Sequence, residues 1–404
     1  MRILLVSPHF YPENFKCNDV AFELVKKGHK VTVLSDIPNY PQGHFFKGYG
    51  IFKKRVETVN GVKIIRALVI PRGNGKGGRL ILNYLSFALF ASIDAFYLAL
   101  FHKFDAVLVH ETSPITVGIP ALIVKKIQHL PFYFWVLDLW PESLTAAGGI
   151  KNKYILSIFV SIAKTMYRNA TKILISSKGF RSSIIEKGNF DGKIVYFPNW
   201  AEDIFTDPNV LNNRIPKLPN GFKVMFAGNI GEAQDFEHVM QVALHLRDNK
   251  QIHFIIIGDG RKKDWVDNFI KEHSLEETVH MMGRFSIEKM PAFFAQADLM
   301  MLSLKDDLIF NLTVPAKLQS YMAVGKPIVA MINGETQNLI EECNCGAYCP
   351  AADSRELSEK ILYLYNMQPS ELDQLGLNGQ KYFRSNFSKD ICMNKLFSIL
   401  EKNE

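Results

Sequence analysis

An α/β protein made of two doubly wound parallel sheets is what this 404-residue chain predicts, and three observations carry that expectation. Short apolar runs alternate with helix-length segments along most of the chain, which is the pattern of parallel strands covered by helices. The rhythm breaks once, over an irregular polar stretch from Pro198 to Pro219, and then restarts. The length exceeds one compact core, and the 48% hydrophobic content is that of a globular protein with two domains of ordinary size.

Taken in order, "RILLV" predicts the first strand and "NDVAFELVKKG" the helix after it. "KVTVLS", "AVLVH", "FYFWVL", "KILIS" and "KIVYF" predict further strands of the same sheet. After the break, "KVMFAG", "IHFIIIG", "VHMMG", "LMMLSL" and "PIVAMI" predict a second sheet, each run followed by a helical segment. The expected division is residues 1–200, residues 201–385, and a helical stretch at 386–404 placed to pack back across the hinge. Open parallel sheets bind ligands beyond the carboxyl ends of their strands, so two such domains are expected to face a central cleft.

Charge is divided unevenly. Residues 1–200 carry 26 Lys+Arg against 12 Asp+Glu, and residues 201–404 carry 21 against 28. A basic half of this kind suits an anionic surface, nucleic acid or membrane. Basic residues interleaved with aromatics in a nucleic-acid pattern are not evident, whereas residues 80–101, "LILNYLSFALFASIDAFYLALF", hold a single charge, Asp94, between basic flanks. Length alone admits a membrane span there. Asp94, Asn83, Ser86 and Ser92 argue instead for a helix packed on a sheet or lying in the bilayer interface. Residues 154–168, "YILSIFVSIAKTMYR", have a similar apolar face. Five cysteines and an N-terminus too short in apolar residues for a signal peptide predict a reducing cytoplasm, and the basic first half with both apolar helices predicts peripheral association with the inner face of the membrane. The cluster "CNCGAYC" lacks a second ligand pair or a nearby His and reads as free thiols rather than a metal site.

The turn after the first strand, Ser7-Pro8-His9-Phe10-Tyr11-Pro12, has no G-x-G-x-x-G, and Gly258-Asp259-Gly260 lacks its third glycine, which argues against a nicotinamide dehydrogenase. Glycine-bounded turns gather in the second half instead, notably Gly228-Asn229-Ile230-Gly231, and predict a nucleotide there, with a second substrate held by the first domain. Glycines admit a close ligand, and N–H groups at a helix start favour an anion. Yet no Lys or Arg lies between Lys223 and Arg247, so the cations for a phosphate must come from elsewhere.

These residues resemble the GT-B-fold retaining glycosyltransferases of family 4, in particular the bacterial surface-polysaccharide branch that includes colanic-acid fucosyltransferases and O-antigen N-acetylfucosamine transferases. The resemblance covers essentially the whole chain. It rests on "HFYPENF", "IPNYPQG" at 37–43, "VLDLWPESL" at 136–144, "FPNWAE" at 197–202, "AGNIGEAQDFEHV" at 227–239, "IIGDG" at 256–260, "GRFSIEKMPAFFAQAD" at 283–298 and "VPAKLQSYMAVGKPIVA" at 314–330. It implies transfer of a sugar from a nucleoside diphosphate sugar (UDP or GDP) in the C-terminal domain to a lipid-linked saccharide acceptor in the N-terminal domain. Retention, no metal and no cofactor are implied as well. Consistently, no D-x-D carboxylate clamp occurs.

The chain departs from the family pattern at two places. Where many relatives carry an Arg and a Lys in the glycine turn, it has Asn229 and Gln234; where they carry the second of two glutamates, it has Ser320, with no Glu at the matching distance before it. The donor candidates are therefore Gly228, Asn229, Gly231, Gly258, Gly260, Arg284, Phe285, Lys305, Lys317 and Ser320. Lys317, Arg284 and Lys305 are the cations. In the first domain Asp138 and Glu142 of "LDLWPES" and His110 of "AVLVH" are the catalytic candidates, with capping, ion pairing or scaffold hydrogen bonding as their structural alternatives. Glu13 and Asn14, after the first strand, are candidates for reading the acceptor. A nucleotide-sugar epimerase on the same scaffold, or an inactive membrane-bound assembly subunit, are the competing readings.

Overall fold

The computed structural model describes residues 1–75, 77–146, 149–207 and 214–401. Lys76, residues 208–213 of the expected hinge and the last three residues of the expected terminal stretch lie outside the described residues. The chain divides into two compact units, Met1–Phe197 with the chain from Met393 onward, and Pro198–Cys392.

The first unit holds β1 (Arg2–Val6), β2 (Lys30–Asp36), β3 (Val56–Val59), β4 (Val62–Ala67), β5 (Ala106–Glu111), β6 (Phe132–Val136), β7 (Lys172–Ile175) and β8 (Ile194–Tyr196). They form one sheet in the order β3-β4-β2-β1-β5-β6-β7-β8. All neighbours are parallel except the β3–β4 hairpin. Every residue of β5 and β6 is buried, which is why those strands read as unbroken apolar runs. The hairpin was not foreseen. Its strands, "VETV" and "VKIIRA", mix buried with exposed positions at the sheet edge and lack the continuous run that marks a central strand.

Strand order reverses between β1 and β5, so their carboxyl ends flank the place where doubly wound sheets bind ligands. The helix Gly77–Phe101 lies on this unit with an inverted pattern. Its buried stripe holds Asn83, Ser86, Ala91, Ala95 and Ala99 together with Phe87 and Leu98, while Ile81, Leu85, Leu89, Ile93, Phe96 and Phe101 face outward. By length and composition it could cross a membrane, and 33% of its most apolar window is buried against the protein. The helix Lys153–Asn169 likewise leaves Tyr154 and Ile158 exposed.

The second unit holds β9 (Phe222–Asn229), β10 (Ile252–Asp259), β11 (Val279–Gly283), β12 (Leu299–Ser303), β13 (Ile328–Met331) and β14 (Gly346–Cys349). The sheet is parallel throughout, in the order β11-β10-β9-β12-β13-β14, which is the dinucleotide-fold arrangement with its switch point between β9 and β12. The short strand β14 was not foreseen either. It approaches β13 so closely that a Cβ at Gly346 would lie 1.8 Å from the Ile328 carbonyl oxygen, a demand of the partner strand that no local pattern announces. The final helix, Lys389–Glu401, begins in the second unit and ends in the first. There the Leu400 carbonyl accepts the Tyr133 hydroxyl at 3.5 Å, and the Lys27 ammonium sits 5.2 Å from the Phe397 ring centre.

Candidate active site

In the second unit the turn follows β9 at the switch point, and the glycines there do different work from one another. Gly258 and Gly260 were expected at the donor. A Cβ at Gly258 would lie 1.8 Å from the Gly228 carbonyl oxygen, and one at Gly260 would lie 2.3 Å from that of Ile230. Both are required by the adjacent chain rather than by a ligand. The N–H of Gly231, expected to be free for an anion, is donated to Gln234 Oε1 at 3.2 Å. Asn229 Nδ2 donates to the same oxygen at 3.3 Å, so Gln234 organises the turn from within.

Gly228 is different. Its φ of +143° favours glycine, and a Cβ there would lie 3.1 Å from the Nζ of Lys317. Lys317 is the second residue of the helix Ala316–Ala323. Its ammonium is buried, has no hydrogen-bond partner among the described residues, and lies 3.9 Å from the ring centre of Phe226 on β9. Burial alone lowers its pKa from 10.5 to about 7. A buried cation without a counter-ion is costly and is kept where it serves a ligand. Ser320 is buried on the same helix.

The other expected cations are arranged on the surface of this unit. Lys305 pairs with Glu232 at 3.2 Å, and Glu232 also pairs with Lys262 at 3.2 Å, while Lys262 reaches Glu237 at 2.6 Å. Lys262 and Glu232 were missed by sequence reasoning, although the basic run Arg261-Lys262-Lys263 directly after Gly260 was a signal that could have found them. Arg284 is exposed, and Phe285 packs on Phe293 with the rings tilted and their centres 4.8 Å apart.

In the first unit Asp138 lies two residues beyond β6. One carboxylate oxygen accepts the Trp140 indole N–H at 3.2 Å and the other the Ser143 hydroxyl. Burial pushes its pKa up to about 6, against those hydrogen bonds. Its neighbour Glu111, at the end of β5, was not singled out from the sequence. It is wholly buried, neither of its carboxyl oxygens has a hydrogen-bond partner among the described residues, and burial with the nearby Asp138 charge drives its pKa well above the usual range. A strand-end Glu beside a predicted strand-end Asp was the available signal.

The remaining first-unit candidates take structural partners. Glu142 forms an ion pair with Lys187 and accepts the Ser183 hydroxyl at 2.6 Å, so one oxygen is committed to the neighbouring helix. His110 is buried between Trp135 and Phe15, bonds Ser7 Oγ at 3.0 Å, and has its pKa lowered to about 3 by burial, which leaves it neutral in the scaffold. Glu13 is buried as well. Its Oε1 accepts the backbone N–H groups of Asn39 at 2.7 Å and Tyr40 at 2.6 Å, and its Oε2 meets His9 Nδ1 at 2.9 Å. It clamps two loops together rather than facing a ligand, while Asn14 is exposed. The ligand atoms of His9, Glu13 and Asp36 lie within 4.8 Å of one another, but those of Glu13 are already engaged by protein donors.

Residues 16–200 match the family model described as glycosyl transferase 4-like domain, and residues 221–367 match that of the glycosyl transferases group 1. The chain belongs to this family of glycosyltransferases. Among curated proteins it is 28% identical to the chain named Probable glycosyltransferase WbjE of Pseudomonas aeruginosa, over 68% of this chain and 71% of that one. It is 23% identical to the glycosyl transferase WcaI of Escherichia coli K12, named for colanic acid biosynthesis, over 83% of this chain and 84% of that one. Among solved structures it is similar to sucrose-phosphate synthase from Thermosynechococcus elongatus, with a TM-score of 0.78 at 13% identity over 99% of this chain and 98% of that one. It is also similar to Anabaena HepE in complex with UDP and glucose, with a TM-score of 0.69 at 15% identity over 99% of each. At those identities the likeness shows the fold, which is GT-B.

Proposed function

We propose that this chain transfers a sugar from a nucleoside diphosphate sugar to a lipid-linked saccharide acceptor in surface-polysaccharide synthesis, with retention at the anomeric carbon. The observation that carries the donor half is Lys317, a buried ammonium with no hydrogen-bond partner among the described residues, poised beside Gly228 at the switch point. A diphosphate, UDP or GDP, supplies the missing counter-charge. Lys305 and Lys262, paired with Glu232 and Glu237, and the exposed Arg284 are the further cations of this unit that can stand in for the absent Arg and Lys of the turn. The names of WbjE and WcaI, and the UDP bound by HepE, support this reading. Titration calorimetry of the protein with UDP- and GDP-sugars tests it directly, since the reading requires one of them to bind and to turn over.

The first unit contributes the acceptor and Asp138, which takes the acceptor hydroxyl's proton or orients it. Transfer is expected to proceed without a divalent metal, because lysines carry the charge that a D-x-D clamp would bring through its ion. Full activity in excess EDTA is the expected result. Loss in chelator, restored by magnesium or manganese, would overturn it and would turn attention to His9, Glu13 and Asp36.

The acceptor's lipid places the first unit on an anionic membrane surface. Ile51 and Phe52 are exposed, Phe52 by 95%, next to exposed Lys53 and Lys54. Arg55, by contrast, is tied to Asp94 at 3.7 Å and to the Arg66 carbonyl. Changing Lys53 and Lys54 to Gln is expected to weaken sedimentation with anionic vesicles at low salt by roughly thirtyfold, at about 1 kcal/mol per basic residue. Equal sedimentation of the unmodified protein with neutral and anionic vesicles would contradict the idea.

A further inference from the structure

In the first unit the loops after β2 and β4 are zipped together into one built surface. The Gly73 N–H donates to the Gly43 carbonyl at 3.0 Å, and a Cβ at Gly43 would lie 1.8 Å from the Gly73 carbonyl oxygen. The Arg72 N–H donates to Asn39 Oδ1 at 3.1 Å, while Glu13 holds the N–H groups of Asn39 and Tyr40 from below. On this surface the Arg72 guanidinium carbon lies 4.8 Å from the ring centre of half-exposed Tyr40, stacked and fixed in place.

Neither Arg72 nor Arg79 pairs with a carboxylate among the described residues. Arg79 Nε donates to the Pro71 carbonyl at 2.9 Å, and a Cβ at Gly73 would lie 3.0 Å from its Cγ, so the two arginines flank the same short loop. That loop is pinned to the outward-apolar helix. Asn83 Nδ2 donates to the Ile70 carbonyl at 2.8 Å, and Ser86 Oγ accepts the Ile70 N–H at 2.9 Å.

From Arg79 the helix runs on through Leu82, Leu89, Ile93 and Leu100, exposed by 49%, 60%, 58% and 55%. These positions recur at helical spacing on one side, and from Leu82 to Leu100 they extend about 27 Å along the axis. Two guanidinium groups with no carboxylate ion pair among the described residues therefore stand at the head of a long apolar track. Arginine forks match phosphate geometry, and the track matches a hydrocarbon chain.

The geometry points to a lipid-phosphate subsite, in which Arg72 and Arg79 hold the phosphate of an amphiphile whose hydrocarbon lies along Leu82, Leu89, Ile93 and Leu100. The inference rests on the proposed function, and on that reading the amphiphile is the lipid-linked acceptor. Tyr40, stacked under Arg72, keeps its guanidinium turned toward the phosphate.

Vesicle sedimentation tests this with phosphatidylcholine doped either with a polyprenyl monophosphate or with phosphatidylglycerol at matched charge. The unmodified protein is expected to bind the polyprenyl phosphate vesicles at least tenfold more tightly than the charge-matched ones. Arg72→Gln and Arg79→Gln are each expected to remove that preference while keeping the binding to phosphatidylglycerol. Arg72→Lys, which keeps the charge but not the planar fork, is expected to fall between. Arg79→Gln serves as the second reporter because Arg79 is exposed and its replacement does not disturb the Tyr40 stack. Inorganic pyrophosphate is expected not to displace the protein from the doped vesicles; displacement would assign the arginines to a free phosphate ligand and overturn the lipid subsite. No preference in the unmodified protein, or full preference in both Gln variants, would also overturn it. Transfer to a water-soluble saccharide acceptor separates the two levels: if it persists while the vesicle preference is absent, the subsite fails and the glycosyl-transfer reading stands. If no nucleotide sugar binds at all, it is that reading which fails.

Discussion

Lys317→Met is expected to abolish donor binding and, in the same variant, to raise the melting temperature. The two effects share one cause. The ammonium lies buried over Phe226 with no counter-ion among the described residues, so the free protein bears its desolvation and the donor's diphosphate relieves it. With a folded pKa of about 7 against an ordinary value of 10.5, the unfolded chain holds the proton more readily than the native one. The resulting destabilisation is fully present below pH 7 and fades as pH rises toward 10.5, where both states are neutral. Its size is on the order of a few kcal/mol, and a neutral side chain of similar length removes it. Thermal unfolding at pH 6 and again near pH 10 reads the stabilisation and its decline. Calorimetry with the nucleotide sugar reads the binding, where a loss of a hundredfold or more is expected. A variant that binds the donor as tightly as the parent would show that Lys317 is only a tolerated buried charge.

Asp138→Asn is expected to lower turnover by a factor on the order of a hundred or more while leaving donor affinity unchanged. Asn can accept the Trp140 N–H through its carbonyl oxygen and donate to Ser143 Oγ through its amide, so the local structure should persist. It cannot accept a proton. The pH profile adds a second readout. Asp138 titrates near 6, and only its ionised form can act as a base, so kcat/KM is expected to fall as pH drops through 6. The acid limb should vanish in the Asn variant. On the alkaline side Lys317 loses its charge near 7, and kcat/KM for the donor is expected to decline as pH rises through it. A variant with normal turnover and an unchanged acid limb would move the role to the buried carboxyl of Glu111.

The two-sheet architecture was legible in the amino-acid order because strands buried on both faces must be apolar throughout. Eleven such runs were read directly, from "RILLV" to "PIVAMI", and all of them are strands. The family was legible for a related reason, since its ordered motifs sit at strand ends where backbone and ligand constrain the residue type. The edge hairpin at 56–67 escaped because its strands lack a continuous apolar run, and β14 because its close fit is set by the partner strand β13.

The same limit applied to the site. Lys317 stood out as a cation at a helix start, but its burial and lack of a partner depend on Phe226 and Gly228, some ninety positions earlier. Gly258 and Gly260 looked like ligand-facing glycines, and only the approach of β9 to β10 showed that the Gly228 and Ile230 carbonyls demand them. Glu13 looked free to read a substrate until the loop after β2 folded over it and took Oε1, with His9 taking Oε2. The helix Gly77–Phe101 is apolar enough on every side that periodicity could not say which face is buried; the stripe with Asn83 and Ser86, which bond Ile70, and with Phe87, three alanines and Leu98 is the one turned inward. Composition and spacing along the chain thus determined which elements form and what family they belong to. Which side chains are left unpaired, and so available for chemistry, was decided by contacts between residues far apart in sequence, because burial and partnership are properties of the packed whole.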